Sequence, residues 1–429
     1  MTTTISDGIW IKRFHEKSNI LLPNNLINIL YLYYCRFFSH GEHGIASASG
    51  EKWKVQSKFA QTQFKKLGLG KEKMEKLLLD EIEELIDELE VMSEHGKKPV
   101  EIGFQINVAI VNVMWAILSG ERRSHNDPVL IGLLKAVNEC IELATTSGIL
   151  LFMPFLIKVL PEWLFGITRM RKLMAQTYGY LREVINQHKS NISAPDEDSK
   201  DLIDAFLQEM NKPNKHESFN DFQLEVLCSE LFGAGGEPTS VTLKWAIRYL
   251  AKYPQIQAKA QAELDSVIGP DRNRQVLVED RQSLPYVQAL IMDLIRLSDI
   301  HPIGVMHSPV QDTKINGYSV PKGTFVIPNF HKVHRDPEFW EKPEELHPEH
   351  WLDANGQFVS KHEGFLSFGT GKRRCPGHDI ALIELFMFLS NLLQRFSFQL
   401  APGDCGKVES TAGCVLSPKP YLISLKPRN

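Results

Sequence analysis

Ten residues near the C-terminus, Phe368-Gly369-Thr370-Gly371-Lys372-Arg373-Arg374-Cys375-Pro376-Gly377, constrain the fold of this chain more than any other stretch. One cysteine stands between glycine-bearing turns, two residues after an arginine. A helical apolar pattern (Ala381, Leu382, Leu385, Phe386, Leu389) follows directly. Glycines at these places let backbone amides approach the sulfur, and the positive end of the next helix favours a thiolate there. A thiolate held in this way suits a ligand to haem iron from one side. Amides on the sulfur then tune the iron's potential, and Arg373 can pair with a propionate. The plain alternative for any single cysteine is a buried structural thiol beside a turn.

Bulk properties set the outer limits. A chain of 429 residues with 43% hydrophobic and 23% charged residues is ordinary for a globular protein and fits no disordered, collagen-like or coiled-coil class. A formal net charge of −4 argues against nucleic acid as the main partner. The six cysteines (Cys35, Cys140, Cys228, Cys375, Cys405, Cys414) form no CxxC pair, which fits a reducing compartment with neither zinc site nor disulfide scaffold. A membrane-spanning helix needs roughly 20 apolar residues. Leu26 to Phe38 is too short for one and is interrupted by Asn28 and Arg36, so no transmembrane anchor is expected.

Helical periodicity dominates the pattern. Met74, Leu78, Ile82, Leu85, Ile86 and Leu89 share one face, with Glu and Lys opposite. Further helices are predicted over Phe104 to Leu118, Arg169 to Gln187, Phe222 to Leu250, Pro254 to Val267 and Tyr286 to Arg296. After Pro302, Lys314 to Val320 and Pro321 to Ile327 read as two short strands joined by a turn, and Val415 to Leu425 as another strand. His188 to Lys200, rich in Ser, Asn, Asp and Pro, reads as a surface loop. The expected fold is mainly α, one multihelical domain with a small β-sheet component and a buried site formed late in the chain.

The cysteine loop resembles the haem-binding signature of the cytochrome P450 family, Phe-x-x-Gly-x-Arg-x-Cys-x-Gly. Phe368, Gly371, Arg373, Cys375 and Gly377 fill every fixed position. The resemblance covers most of the chain from about Gly44 onward and points to animal microsomal members of the broad clan-two type. It implies a P450 haem domain over 44–429, with a central helix near 222–250. Residues 1–43 form an abbreviated N-terminal segment where such proteins carry a membrane anchor and hinge. It implies haem (iron-protoporphyrin IX) ligated by the Cys375 thiolate, with Arg373, Phe368, Trp53, His307, Gly377 and Ala234 against the cofactor. Ile303, Val305 and Val415 would line the substrate pocket with Ala234. The family's Glu-x-x-Arg pair, completed by a later basic residue, corresponds to Asp293, Arg296 and His350, with an aspartate one methylene shorter than the usual glutamate.

Leu231-Phe232-Gly233-Ala234-Gly235-Gly236-Glu237-Pro238-Thr239-Ser240 is similar to the family's oxygen-side segment. Each glycine inside a helix costs about 1 kcal/mol against alanine. Close helix packing or a flat backbone facing the haem would offset this. Glu237 matches the acid that routes protons to oxygen. Pro238 stands where a threonine is usual, and it removes both a hydroxyl and the backbone bond to the Ala234 carbonyl. Thr239, roughly 100° further round the helix, cannot simply take its place.

The resemblance therefore implies a monooxygenase that inserts one atom of O2 into an apolar small molecule. Electrons would come from NADPH through NADPH–cytochrome P450 reductase, for which Lys52, Lys54, Lys58 and Lys372 offer a basic docking patch. It places the protein at the endoplasmic reticulum membrane. The apolar stretch from Gly148 to Phe165 would make peripheral contact with the bilayer. Two alternatives stay open: a haem-thiolate isomerase or dehydratase acting on a lipid peroxide, which needs no external proton relay, and a non-catalytic haem-binding paralogue.

Overall fold

A computed structural model describes residues 43–67, 72–147, 150, 156–191, 199–324, 326–411 and 415–428. The expectations for residues 1–42 and most of those for Gly148 to Phe155 lie outside this set. In chain order the helices are α1 (Gly50–Leu67), α2 (Glu72–Met92), α3 (Gly103–Ser119), α4 (Pro128–Ser147), α5 (Leu156–Val159), α6 (Ile167–Ser190), α7 (Leu202–Met210), α8 (Asp221–Lys252), α9 (Pro254–Ile268), α10 (Pro285–Ser298), α11 (Phe330–His334) and α12 (His378–Arg395). The strands are β1 (Thr313–Ile315), β2 (Tyr318–Val320), β3 (Phe396–Leu400) and β4 (Ile423–Pro427), in two antiparallel pairs, β1 with β2 and β3 with β4.

The central helix α8 organises the rest. Asn220 caps it by accepting from the Gln223 amide at 3.0 Å, and Pro254 at the first position of α9 begins the next helix. Helix α8 packs most extensively on α3 and also touches α6, α10, α12 and β3. The apolar face expected for α2 is buried in full, Met74 through Leu89. One large core joins these helices, with Trp115, Trp340, Trp351 and Phe232 among its largest buried side chains.

Two sequence expectations shift. The turn falls at Asn316-Gly317, both at positive φ, so the hairpin closes within residues 313–320. The segment after Pro321 forms no strand in this hairpin; Val326 instead makes an isolated bridge to His307. Asn-Gly is the pair a two-residue hairpin turn requires, and it outweighs the Pro-Lys-Gly signal four residues later. The C-terminal strand begins at Ile423, beyond most of the expected stretch, because β3 sets its register: Phe398 pairs with Leu425 and Leu400 with Ile423.

Candidate active site

The loop before α12 is built from backbone bonds. The Leu366 carbonyl accepts from the Gly369 amide at 2.8 Å, and the Phe368 carbonyl accepts from the Cys375 amide at 2.9 Å. Gly369 and Gly371 sit at φ 68° and 70°, which side-chain-bearing residues rarely adopt. Phe368 packs edge-on to His378 at 4.5 Å. Cys375 is exposed, and a Cβ on Gly377 would lie 4.0 Å from its sulfur. Surrounding protein raises the thiol's pKa by desolvation, while the amides of Gly377 and His378 and the charge of Arg374 pull it down. The sulfur therefore sits at the N-terminus of α12 with backbone donors on it, as the sequence suggested.

Arg373 and Trp53 are brought together: the guanidinium lies 4.2 Å from the centre of the indole ring. Arg373 also donates to the carbonyls of Ile45 (3.2 Å) and Ala48 (2.6 Å). The same segment is held from the other side by Glu230 of α8, whose Oε2 accepts from the Ile45 amide at 2.6 Å and the Ala46 amide at 3.1 Å. Sequence reasoning missed this clamp between the central helix and the cysteine loop. Ser57, one helical turn after Trp53, is buried and accepts from Gln61. Lys54 of the expected basic patch pairs with Glu51, while Lys58 and Lys372 are exposed.

Along α8 the glycines divide by role. A Cβ on Gly235 would fall 2.1 Å from Met114 Cε, and one on Gly236 would fall 2.6 Å from Val111 Cγ2. These two are therefore packing glycines that let α3 approach. Ala234 is exposed in the middle of a helix whose neighbours Leu231, Phe232 and Gly236 are buried. The helix runs through Pro238 without a break. Thr242 Oγ1 donates to the Pro238 carbonyl at 2.8 Å, and Ser240 Oγ donates to the Glu237 carbonyl at 2.9 Å. Desolvation raises the Glu237 carboxyl to about 7, opposed by the charge of Lys244. Thr239 Oγ1 donates at 3.2 Å to Oε2 of Glu384 on α12, a wholly buried acid that desolvation raises to about 8. A lone glutamate inside the apolar run Ile383-Glu384-Leu385-Phe386 was the signal available for that residue.

Ile303 and Val305 are exposed apolar side chains, 54% and 73%, and the His307 side chain is exposed with Nδ1 2.7 Å from the Val305 carbonyl. Val415 packs on the main core. No hydrogen bond or ring contact among the described residues joins His307, Glu237 or these pocket candidates to Cys375.

Asp293, Arg296 and His350 do converge. Arg296 donates Nε to Asp293 Oδ1 at 2.7 Å and Nη2 to Oδ2 at 3.1 Å, and His350 Nδ1 lies 3.0 Å from Oδ1. Arg296 also donates to the carbonyls of His334, Pro343 and Glu345. Burial alone would raise the Asp293 carboxyl. Hydrogen bonds from His350 and Arg296, the charge of Arg296 and the His347 amide outweigh it and hold the group below the usual carboxylate range. The shorter aspartate still forms the bidentate pair because the two residues are one helical turn apart.

A sequence profile described as Cytochrome P450 matches residues 29–425. The chain belongs to the cytochrome P450 family. Cytochrome P450 2J5 of Mus musculus is 36% identical over 394 residues, covering 90% of this chain and 76% of that protein. Cytochrome P450 2J2 of Homo sapiens is 34% identical over the same shares. Cytochrome P450 2L1 of Panulirus argus is 32% identical over 407 residues, covering 92% and 81%.

A cytochrome P450 is a monooxygenase with a thiolate-ligated haem, and this P450 has the mainly α fold of the family. Its donor set fits that cofactor. An exposed cysteine carries backbone hydrogen-bond donors at its sulfur, an arginine and an indole stand together beside the loop, and a small side chain is exposed on the central helix. The bound haem supplies the oxygen chemistry; the protein supplies the ligand, the orientation and the proton-bearing groups.

Proposed function

We propose that this P450 inserts one oxygen atom of O2 into an apolar small molecule such as a lipid, hormone or xenobiotic. NADPH is oxidised through NADPH–cytochrome P450 reductase, and the second oxygen atom leaves as water. The observation that carries this is the exposed Cys375 with the amides of Gly377 and His378 directed at its sulfur. Desolvation leaves the free thiol's pKa raised on balance, and these amides with the charge of Arg374 are the groups that favour an anionic ligand on one haem face. Arg373, Trp53 and His307 hold the propionates, and Phe368 and Gly377 shape the loop around the sulfur. Ala234, Ile303, Val305 and Val415 give the pocket an apolar lining. Glu237, neutral for part of the time at pH 7, holds a proton on the oxygen side. Residues 44–429 form the haem domain, and Asp293, Arg296 and His350 stabilise its cysteine side.

Peripheral attachment to the endoplasmic reticulum membrane is part of this reading. No helix among the described residues is long and apolar enough to cross a bilayer. Val159, Leu160, Trp163 and Leu164 nevertheless cluster in sequence and are 68%, 40%, 68% and 46% exposed. Such a patch favours a lipid surface.

One observation favours the peroxide-isomerising alternative. Pro238 offers no hydroxyl, and the next hydroxyl, on Thr239, is turned to Glu384. Turnover of a lipid hydroperoxide without NADPH would select that reading. The primary test is the carbon monoxide difference spectrum of the reduced, haem-loaded protein, followed by product formation from a small lipid panel with NADPH and reductase. A thiolate-type Soret band, lost in Cys375→Ala, is expected. A wild-type spectrum unchanged by that substitution would refute the assignment of the ligand.

A further inference from the structure

Behind the cysteine loop lies a second polar cluster, separate from Asp293. Asp299 ends α10 at φ 45°, a left-handed conformation that residues with a side chain rarely adopt. Its carboxylate receives His331 Nδ1 at 2.6 Å, Arg335 Nη1 at 2.9 Å and His334 Nδ1 at 3.1 Å. The opposite ring nitrogen of His334, Nε2, accepts the backbone N–H of Leu366 at 3.1 Å, with Ser367 Oγ at 3.5 Å. A nitrogen that accepts from an amide carries no proton. The imidazole is therefore neutral, with its hydrogen on Nδ1 and donated to Asp299. His334 is 1% exposed and lies within ring-contact distance of Phe330 and Phe365, and its carbonyl is the one Arg296 holds at 3.0 Å.

We propose that His334 is a positioning residue for the cysteine ligand: Asp299 fixes its tautomer, and its Nε2 fixes the Leu366 amide from which the loop carrying Cys375 departs. This rests on the reading of Cys375 as the haem ligand. Leu366 is the right anchor because its carbonyl holds Gly369 and the Phe368 carbonyl holds Cys375. A displacement at Leu366 thus passes to the sulfur through two backbone bonds. Burial keeps the imidazole's pKa below the usual range in spite of Asp299, which agrees with the neutral form. The charged and titratable groups around it are Asp299 and Arg296 from α10 and His331 and Arg335 from α11 and its end.

Two variants separate this role from packing. His334→Gln places an amide oxygen near the position of Nε2 and keeps an acceptor for Leu366. His334→Phe keeps the ring and loses the acceptor. In the haem-loaded full chain, amide exchange at Leu366 should stay slow in His334→Gln and speed up about tenfold or more in His334→Phe, as loss of one buried hydrogen bond implies. The amides of α12 should be unchanged in both. The thiolate-type Soret band of the reduced carbon monoxide complex should persist in the glutamine variant and give way to the thiol-ligated form in the phenylalanine variant. Should His334→Phe fail to fold, slow Leu366 exchange in His334→Gln supports the proposal and fast exchange overturns it. Equal protection in the two variants, or better protection in phenylalanine, also overturns it. A wild type lacking the thiolate band would instead remove the ligand reading and leave the exchange result to stand on its own.

Discussion

At the residue scale the buried acids matter most. Glu384 is 1% exposed, its Oε1 has no hydrogen-bond partner among the described residues, and its carboxyl is raised to about 8 by desolvation. An acid whose folded pKa is raised binds a proton that the unfolded chain has already released. Its contribution therefore weakens stability as pH rises from about 4.5, where the unfolded group ionises, to about 8. Glu384→Gln keeps the volume and removes the titration. We expect the thermal midpoint of the variant to gain on wild type steadily between pH 5 and 8. The difference corresponds to at most about 1.4 kcal/mol per pH unit from this one group. Parallel pH profiles for the two proteins would show that Glu384 is not a buried neutral acid. The cysteine was legible from sequence because its glycines and arginine are chain neighbours. Glu384 was not recognised, since its partner Thr239 lies 145 residues away.

At the scale of elements, the central helix shows that identical residues do different things. Gly235 and Gly236 meet Met114 and Val111 of α3, whereas Gly233 has only Val137 Cγ1 at 3.9 Å. Gly233→Ala should therefore stabilise by up to about 1 kcal/mol through helix propensity. Gly236→Ala should destabilise by about 1–3 kcal/mol, because a β-branched side chain and the Val111 backbone behind it cannot easily yield. Denaturant unfolding of the two variants checks this; equal effects would mean that helix contact with α3 does not decide the glycine usage. Periodicity predicted the helices well, α2 above all, because one face of each is buried. It gave no warning of which glycine touches a neighbour, since that depends on where α3 lies. The hairpin was misplaced for a related reason: two turn signals stood close together, and strand pairing chose between them.

For the whole molecule, two features carry predictions. The Asp293–Arg296–His350 cluster links α10 to the segment around Pro348–Trp351 with both partners of the ion pair wholly buried. Removing Arg296 strands a buried carboxylate, so Arg296→Met should cost about 3–5 kcal/mol and sharply lower the yield of haem-loaded protein. Since the Asp293 carboxyl is held below its ordinary value, its stabilisation is present above the unfolded pKa and is lost as acid carries the pH down through the folded one. Acid unfolding followed by haem release should thus begin at higher pH in His350→Ala, where one of the hydrogen bonds is gone. The second feature is the exposed apolar patch. Trp163→Ser with Leu164→Ser should weaken sedimentation with phospholipid vesicles severalfold while leaving the far-ultraviolet circular dichroism unchanged. Undiminished binding would place the membrane contact elsewhere.

By itself the sequence determined the cysteine loop, the helical class and the glycine-bearing central helix, because each depends on residues within a few positions of one another. It also carried the Asp293–Arg296 pair, one turn apart on a helix. Only the tertiary structure decided that Glu230 and Arg373 grip one segment from opposite sides, that Thr239 turns to Glu384, and that His334 reaches Leu366. Those contacts join residues 32 to 328 positions apart. Hydrogen bonds of that span depend on how helices pack in space, and no local pattern along the chain encodes the direction in which a buried side chain finds its partner.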